Sequence, residues 1–242
     1  MKVAAFQAPV LAGFSIQAAI SLVHDQVDRC ESEGVEVLCC PEAILGGLAD
    51  YAPQPTEIAI DVACGQLDAV LAPLFSNTVT TILGFTEADR GRLYNSAAVL
   101  HRGSVVGIYR KRHPAINRSV YDAGKTTPVF TVGTFTFGIL ICRDSTDPEL
   151  ARTMTSQGAT ALFVPSNNGL PPSRSNEDVV TETRAVDINR ALDNGVAVVR
   201  ADVAGHAGDL VSYGSSAIID RRGHVLTCAK QLCTAQLLIA EI

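Results

Sequence analysis

Apolar positions along this chain fall into two rhythms: unbroken runs that suit strands buried on both faces, and three-and-four spacings that mark one face of a helix. Lys2–Gln7 is a short apolar strand leading to Pro9. After Gly13, Ser15 is placed to cap a helix whose stripe is Ile16, Ala19, Ile20, Val23, Val27 and Cys30, ending before Gly34. Val35–Cys40 then runs apolar until Pro41 stops it. Strand, helix, strand is the opening unit of an α/β protein.

Leu67, Val70, Leu71 and Leu74 supply the stripe of a second helix, and Val79–Thr86 follows as a β-branched strand. Leu93–Leu100 and Ser104–Arg110 flank His101-Arg102-Gly103, a hairpin turn in which Gly is free to take a positive φ. Val129–Val132 and Thr136–Cys142 make a second hairpin around Gly133. Asp147-Pro148-Glu149 opens a helix to about Gln157, with Pro in its first turn and acids at the positive end of its dipole. Ala161–Pro165 reads as a strand, Asp178–Asn194 as a helix closed by Gly195, and Val196–Asp202 as a strand. Ser215–Ile219, Val225–Ala229 and Gln236–Glu241 complete the strands. No repeat, low-complexity tract or linker divides residues 1–242, so the chain reads as one domain. The order of elements predicts an α/β fold, an α-β-β-α sandwich with two mixed sheets face to face and helices on both outer sides.

Composition narrows the function. With 47% apolar and 18% charged residues among 242, a disordered chain is excluded, and no run of ~18 apolar residues marks a membrane span. The segment Met1–Gln7 is wrongly flanked for a secretory signal, so the cytoplasm is the expected location. A net charge of −6 argues against nucleic acid or an anionic membrane as partner. Seven cysteines, without C-x-x-C or paired His at ligand spacing, argue against a disulfide framework and a structural zinc site.

Two common motifs fail. Gly124-Lys125-Thr126 lacks the first Gly of a phosphate loop, Ser119 standing in its place, and Pro128 blocks the helix such a loop needs. No G-x-S-x-G occurs to anchor a serine hydrolase. Three polar residues stand instead where apolar strands end. Glu42 sits in Cys40-Pro41-Glu42-Ala43-Ile44-Leu45, apolar surroundings that would raise its pKa toward neutral proton transfer, although a loop acid or helix cap has the same look. Lys111 follows Ser104–Arg110 in a basic cluster that also reads as a solvated face. Cys142 precedes Arg143-Asp144, and a strand thiol is most often a core hydrophobe. Taken together, they supply a thiol whose pKa an ammonium would lower, a carboxylate to accept its proton, and a cation to hold an oxyanion.

These residues carry a resemblance. Pro41-Glu42, Tyr109-Arg110-Lys111-Arg112-His113 and Gly138-Ile139-Leu140-Ile141-Cys142-Arg143-Asp144 with Pro148-Glu149 resemble the carbon–nitrogen hydrolase (nitrilase) superfamily. So do Arg190-Ala191-Leu192-Asp193-Asn194 and Gly214-Ser215-Ser216-Ala217-Ile218-Ile219-Asp220, in family order over essentially the whole chain. The resemblance implies the same α-β-β-α sandwich and a triad in which Glu42 is the general base, Lys111 stabilises the oxyanion and Cys142 forms a thioester. It implies the amide N–H of Arg143 as a second oxyanion donor, a homodimer or higher homo-oligomer, and neither metal nor organic cofactor.

Many relatives carry a second Glu where this chain has Asn117, with Asp122 as the nearby acid that would replace it in space. Asn167 and Asn168 follow a strand where relatives often place a bulky aromatic, which hints at a polar substrate or a plain Asn/Gly turn. Arg143 either binds a substrate carboxylate or pairs with Asp144 or Glu149. The chain stops after its last strand, without the long extension of filament-forming nitrilases. The expected activity is therefore hydrolysis of a small polar amide or N-carbamoyl compound. The alternatives are a binding or regulatory dimer on the same fold, a nitrilase, and acyl transfer to an acceptor other than water.

Overall fold

The computed structural model describes residues 1–10, 16–174 and 177–242, so the Ser15 cap lies outside the described residues. Among them the strands are β1 (Lys2–Pro9), β2 (Val37–Cys39), β3 (Ile60–Asp61), β4 (Thr80–Asp89), β5 (Arg92–His101), β6 (Ser104–Arg110), β7 (Val129–Val132), β8 (Phe135–Ile139), β9 (Ala161–Pro165), β10 (Ala197–Ala201), β11 (Val203–Ala207), β12 (Leu210–Ser212), β13 (Ala217–Ile219), β14 (Val225–Cys228) and β15 (Gln236–Glu241). The helices are α1 (Ile16–Glu33), α2 (Gln66–Leu71), α3 (Pro148–Ser156) and α4 (Asp178–Asn194).

Two mixed sheets result. The first runs β12-β11-β1-β2-β4-β5-β6, with β15 also paired to β1 and β3 to β4; the second runs β14-β13-β10-β9-β8-β7. Strand alternation sorts the side chains into layers. Val3, Ala5, Val37, Cys39, Ile82, Ala97 and Val99 face the second sheet and meet Phe137, Ile139, Phe163 and Val199 there. Ala4, Phe6, Leu38, Leu83, Ala98 and Leu100 face the other way, against Ala19, Ile20, Val23, Val27 and Cys30 of α1. α3 and α4 cover the outer face of the second sheet, with Leu150, Ala151, Met154 and Ala191 packed into its core. Phe137 and Phe163 meet edge to face, their ring centroids 5.2 Å apart. The architecture is the expected α-β-β-α sandwich.

The caps match the sequence logic. Asp147 accepts the Glu149 amide at 2.9 Å ahead of Pro148 at the start of α3. Gly195 closes α4 with φ +64°, its N–H 2.8 Å from the Ala191 carbonyl.

Three departures matter. The strand expected over Thr136–Cys142 ends at Ile139, and residues Cys142–Thr146 form a 3₁₀ turn instead. The cause is Asp144, whose buried carboxylate gathers the amides of Ile141, Arg112 and His113 and the hydroxyl of Tyr109. The run after Val196 does not stop at Asp202 but crosses there from the second sheet to the first, as β10 then β11. Its carboxylate satisfies the break by accepting the amides of Asn168, Val203 and Ser215 and the Ser215 hydroxyl. The short strands β3 and β12 were not foreseen, since two or three residues carry no readable period.

Candidate active site

Glu42 follows the β2 strand across Pro41, on a loop that lies against β4. Gly84 of β4 makes the approach feasible, because a Cβ there would sit 2.3 Å from the Pro41 carbonyl oxygen and 2.7 Å from Glu42 Cα. The carboxylate is only 2% exposed, and three donors hold it: Lys111 Nζ at 2.5 Å and Asn95 Nδ2 at 2.7 Å on Oε1, and the Asn167 amide at 3.0 Å on Oε2.

Lys111 is the first residue beyond β6 and is locked at both backbone ends, donating to the Asn95 carbonyl at 2.8 Å and accepting from the Gly124 amide at 2.7 Å. Burial works against its charge, but the paired Glu42 carboxylate, together with the other acidic groups nearby, outweighs this and holds the ammonium above the usual lysine range. Its neighbour Arg110 is spent elsewhere, pairing with Glu87 and Asp89 and stacking 4.0 Å over the Tyr94 ring.

Cys142 opens the 3₁₀ turn with φ +48°, a left-handed backbone that a non-Gly residue holds at a cost of about 1–3 kcal/mol. Its half-buried Sγ lies 3.9 Å from Asn168 Oδ1, and Asn168 is in turn clamped through Nδ2 to Asp202 at 2.8 Å. The expectation that the thiol pKa would fall is not met. Burial pushes it up to about 12, the Glu42 carboxylate adds to the rise, and Lys111 and Arg200 only partly oppose it. Because the ammonium is already paired with Glu42, little of its field is left to favour a thiolate.

These three side chains line one cavity of about 300 Å³, although Glu42 and Lys111 are 69 positions apart. Its lining includes Asn95, Tyr121, Arg143, Asn167, Asn168 and Arg200. A carbon–nitrogen hydrolase family model matches residues 2–242. The chain belongs to this family. As a carbon–nitrogen hydrolase it is 30% identical to a nitrilase of Pyrococcus abyssi over 211 residues, 85% of this chain and 76% of the relative. It is 28% identical to an (R)-stereoselective amidase of a Pseudomonas species over 210 residues, 86% and 73% of the two chains. The crystal structure of an amidase from Nesterenkonia sp. shares the fold, with a TM-score of 0.82 at 20% identity, covering 100% of this chain and 90% of that one.

Within this carbon–nitrogen hydrolase the other expected site residues divide. Asn168 points its carboxamide oxygen at the thiol. Asn167 lines the cavity, but its amide holds Glu42 Oε2 and its side chain turns to the Glu42 carbonyl and the Gly169 amide. Arg143 is exposed at the cavity lining and pairs with neither Asp144 nor Glu149; Nη1 reaches the Ala115 carbonyl at 3.4 Å, while Arg152 takes Glu149. Asn117 is exposed, and its neighbours Pro114, Ala115 and Ile116 line the cavity in its stead. Asp122 is also exposed, 3.9 Å from Arg92, so neither residue stands in for a second glutamate beside Lys111. Asn95 and Arg200 were missed. Each is a polar residue inside an apolar strand, in Tyr94-Asn95-Ser96-Ala97 and Val198-Val199-Arg200-Ala201, and that interruption was the available signal.

Among the described residues no cluster of His, Cys, Asp and Glu could hold a metal ion, and no helix is long and apolar enough to cross a membrane.

Proposed function

We propose that this carbon–nitrogen hydrolase is an amidase acting on a small polar amide or N-carbamoyl compound through a cysteine thioester. The observation that carries this reading is the convergence of a buried carboxylate, a buried ammonium and a thiol on a strained turn around one cavity.

In this mechanism Cys142 Sγ attacks the amide carbon while Glu42 takes the thiol proton, so no standing thiolate is required. The C–O π electrons move to oxygen, and the Lys111 ammonium with the Arg143 amide N–H stabilises the oxyanion. Collapse expels the amine as Glu42 returns the proton to it, leaving the acyl group on sulfur. Glu42 then deprotonates water, which attacks the thioester; the acid departs and the proton returns to sulfur. Glu42 suits both steps because Lys111, Asn95 and the Asn167 amide fix its position, and Oε2 takes only one of these bonds.

The test is intact mass spectrometry of the protein with a panel of small amides, N-carbamoyl compounds and nitriles, beside Cys142→Ala. An acyl adduct or acid product that requires Cys142 supports the reading and ranks the substrate classes. Equal turnover by Cys142→Ala overturns it.

A further inference from the structure

Arg200 of β10 lies on the cavity floor, 2% exposed, with nothing in the triad chemistry assigned to it. Its guanidinium makes a two-bond fork to Asp187 of α4, Nε to Oδ2 and Nη2 to Oδ1, each 2.6 Å. The remaining donors reach two hydroxyls: Nη2 to Ser145 Oγ at 2.9 Å and Nη1 to Ser166 Oγ. Those serines lead to the two reacting groups. Ser145 Oγ donates to the Cys142 carbonyl at 2.8 Å, and the Ser166 carbonyl accepts the Glu42 amide at 3.2 Å. A second α4 residue, Arg190, holds the Ser145 carbonyl at 2.9 Å.

We propose that Arg200 is a positioning residue whose buried fork locks the turn of Cys142 and the loop of Glu42 into one frame through Ser145 and Ser166. This rests on the reading of Cys142 as nucleophile and Glu42 as base. Only arginine has a rigid planar set of donors able to serve a carboxylate and two hydroxyls together; a lysine has one nitrogen at one point. The frame also adds to Asp144 in holding the φ +48° of Cys142, since Ser145, three residues downstream, binds the Cys142 carbonyl. The charged groups around the thiol are Glu42, Lys111, Asp202 and Arg200, with Asp144 in its own turn; Asp187 neutralises Arg200 from α4.

The test follows alkylation by iodoacetamide, site by site, in the native protein, Arg200→Lys and Ser145→Ala, from pH 7 to 10. The exposed Cys64 serves as the internal reference. Arg200→Lys preserves a charge beside Asp187 and is expected to stay folded, with Cys142 alkylation slowed at least tenfold relative to Cys64 and kcat lowered without a matching rise in KM. Ser145→Ala, which removes one hydroxyl, is expected to slow Cys142 several-fold in the same direction. An ion pair with a purely stabilising role would lower the melting temperature and leave the Cys142 to Cys64 ratio unchanged. A folded Arg200→Lys with the native ratio and pH profile overturns the proposal; if that variant unfolds, an unchanged ratio in Ser145→Ala does so. Equal turnover by Cys142→Ala would instead overturn the thioester reading, which the alkylation ratio does not measure.

Discussion

The Lys111 ammonium and the Glu42 carboxylate form a buried ion pair, 2.5 Å from Nζ to Oε1, with side chains only 4% and 2% exposed. Removing one partner strands the other charge in a poorly solvated site, which costs about 3–5 kcal/mol, whereas removing both avoids that penalty. Lys111→Met should therefore destabilise the fold strongly. The double variant Lys111→Met/Glu42→Gln should recover most of the loss, with no activity in either. Urea unfolding of the native protein, the two singles and the double checks this; a double variant less stable than both singles would contradict it.

The Cys142 thiol, raised to about 12 by burial and by Glu42, is protonated at neutral pH. Well below its pKa a thiol gains thiolate tenfold per pH unit, so its alkylation rate should climb about tenfold per unit from pH 7 to 10 without a plateau. A plateau below pH 9, read by mass spectrometry, would mean a thiolate far better stabilised than this geometry provides.

Gly84 predicts an activity loss from outside the cavity lining. In Gly84→Ala the new methyl meets the Pro41 carbonyl oxygen, the Ala43 nitrogen and Glu42 Cα, all backbone atoms that yield only if the loop moves. Overpacking of this kind costs about 1–3 kcal/mol. The displaced carboxylate should lower kcat at least tenfold, measured together with the melting temperature.

The cysteines separate by location. Cys39 is fully buried between the sheets, so Cys39→Ala should cost about 1 kcal/mol or more and leave kcat within about threefold. Cys64 is exposed, and Cys64→Ala should change neither stability nor turnover. Denaturation curves and steady-state rates on both variants decide this.

Arg143 faces the cavity without an ion-pair partner among the described residues. Arg143→Ala should leave stability within about 0.5 kcal/mol. If the substrate carries a carboxylate, KM should rise at least tenfold for that compound and stay within twofold for a neutral amide of the same acyl size. Equal KM changes for both would remove Arg143 from substrate recognition.

Much of the architecture was legible because long apolar runs and helical stripes leave periodic traces, as in Lys2–Gln7 and the α1 face. Glu42, Lys111 and Cys142 were legible because each stands near the end of a strand and the motifs around them together resemble one family. The positive φ of Cys142 was not, since it comes from Asp144 gathering amides from a distant loop. Nor was the direction of its pKa. That depended on Lys111 being paired, which is a tertiary fact. The crossing at Asp202 hid in an apolar stretch that reads as one strand yet serves two sheets.

The position of β1 sets a condition on how the chain acquires its shape. Residues Lys2–Gln7 pair with Val37–Cys39 on one side and with Gln236–Glu241 on the other. One edge of β1 thus stays unfilled until β15, far downstream in the chain, is available to pair with it. Such distant pairing slows folding and leaves an apolar edge open in the interim. A chain folded without β15 keeps that edge of β1 open to pairing with another copy, so deleting Gln236–Glu241 should promote self-association, read by light scattering.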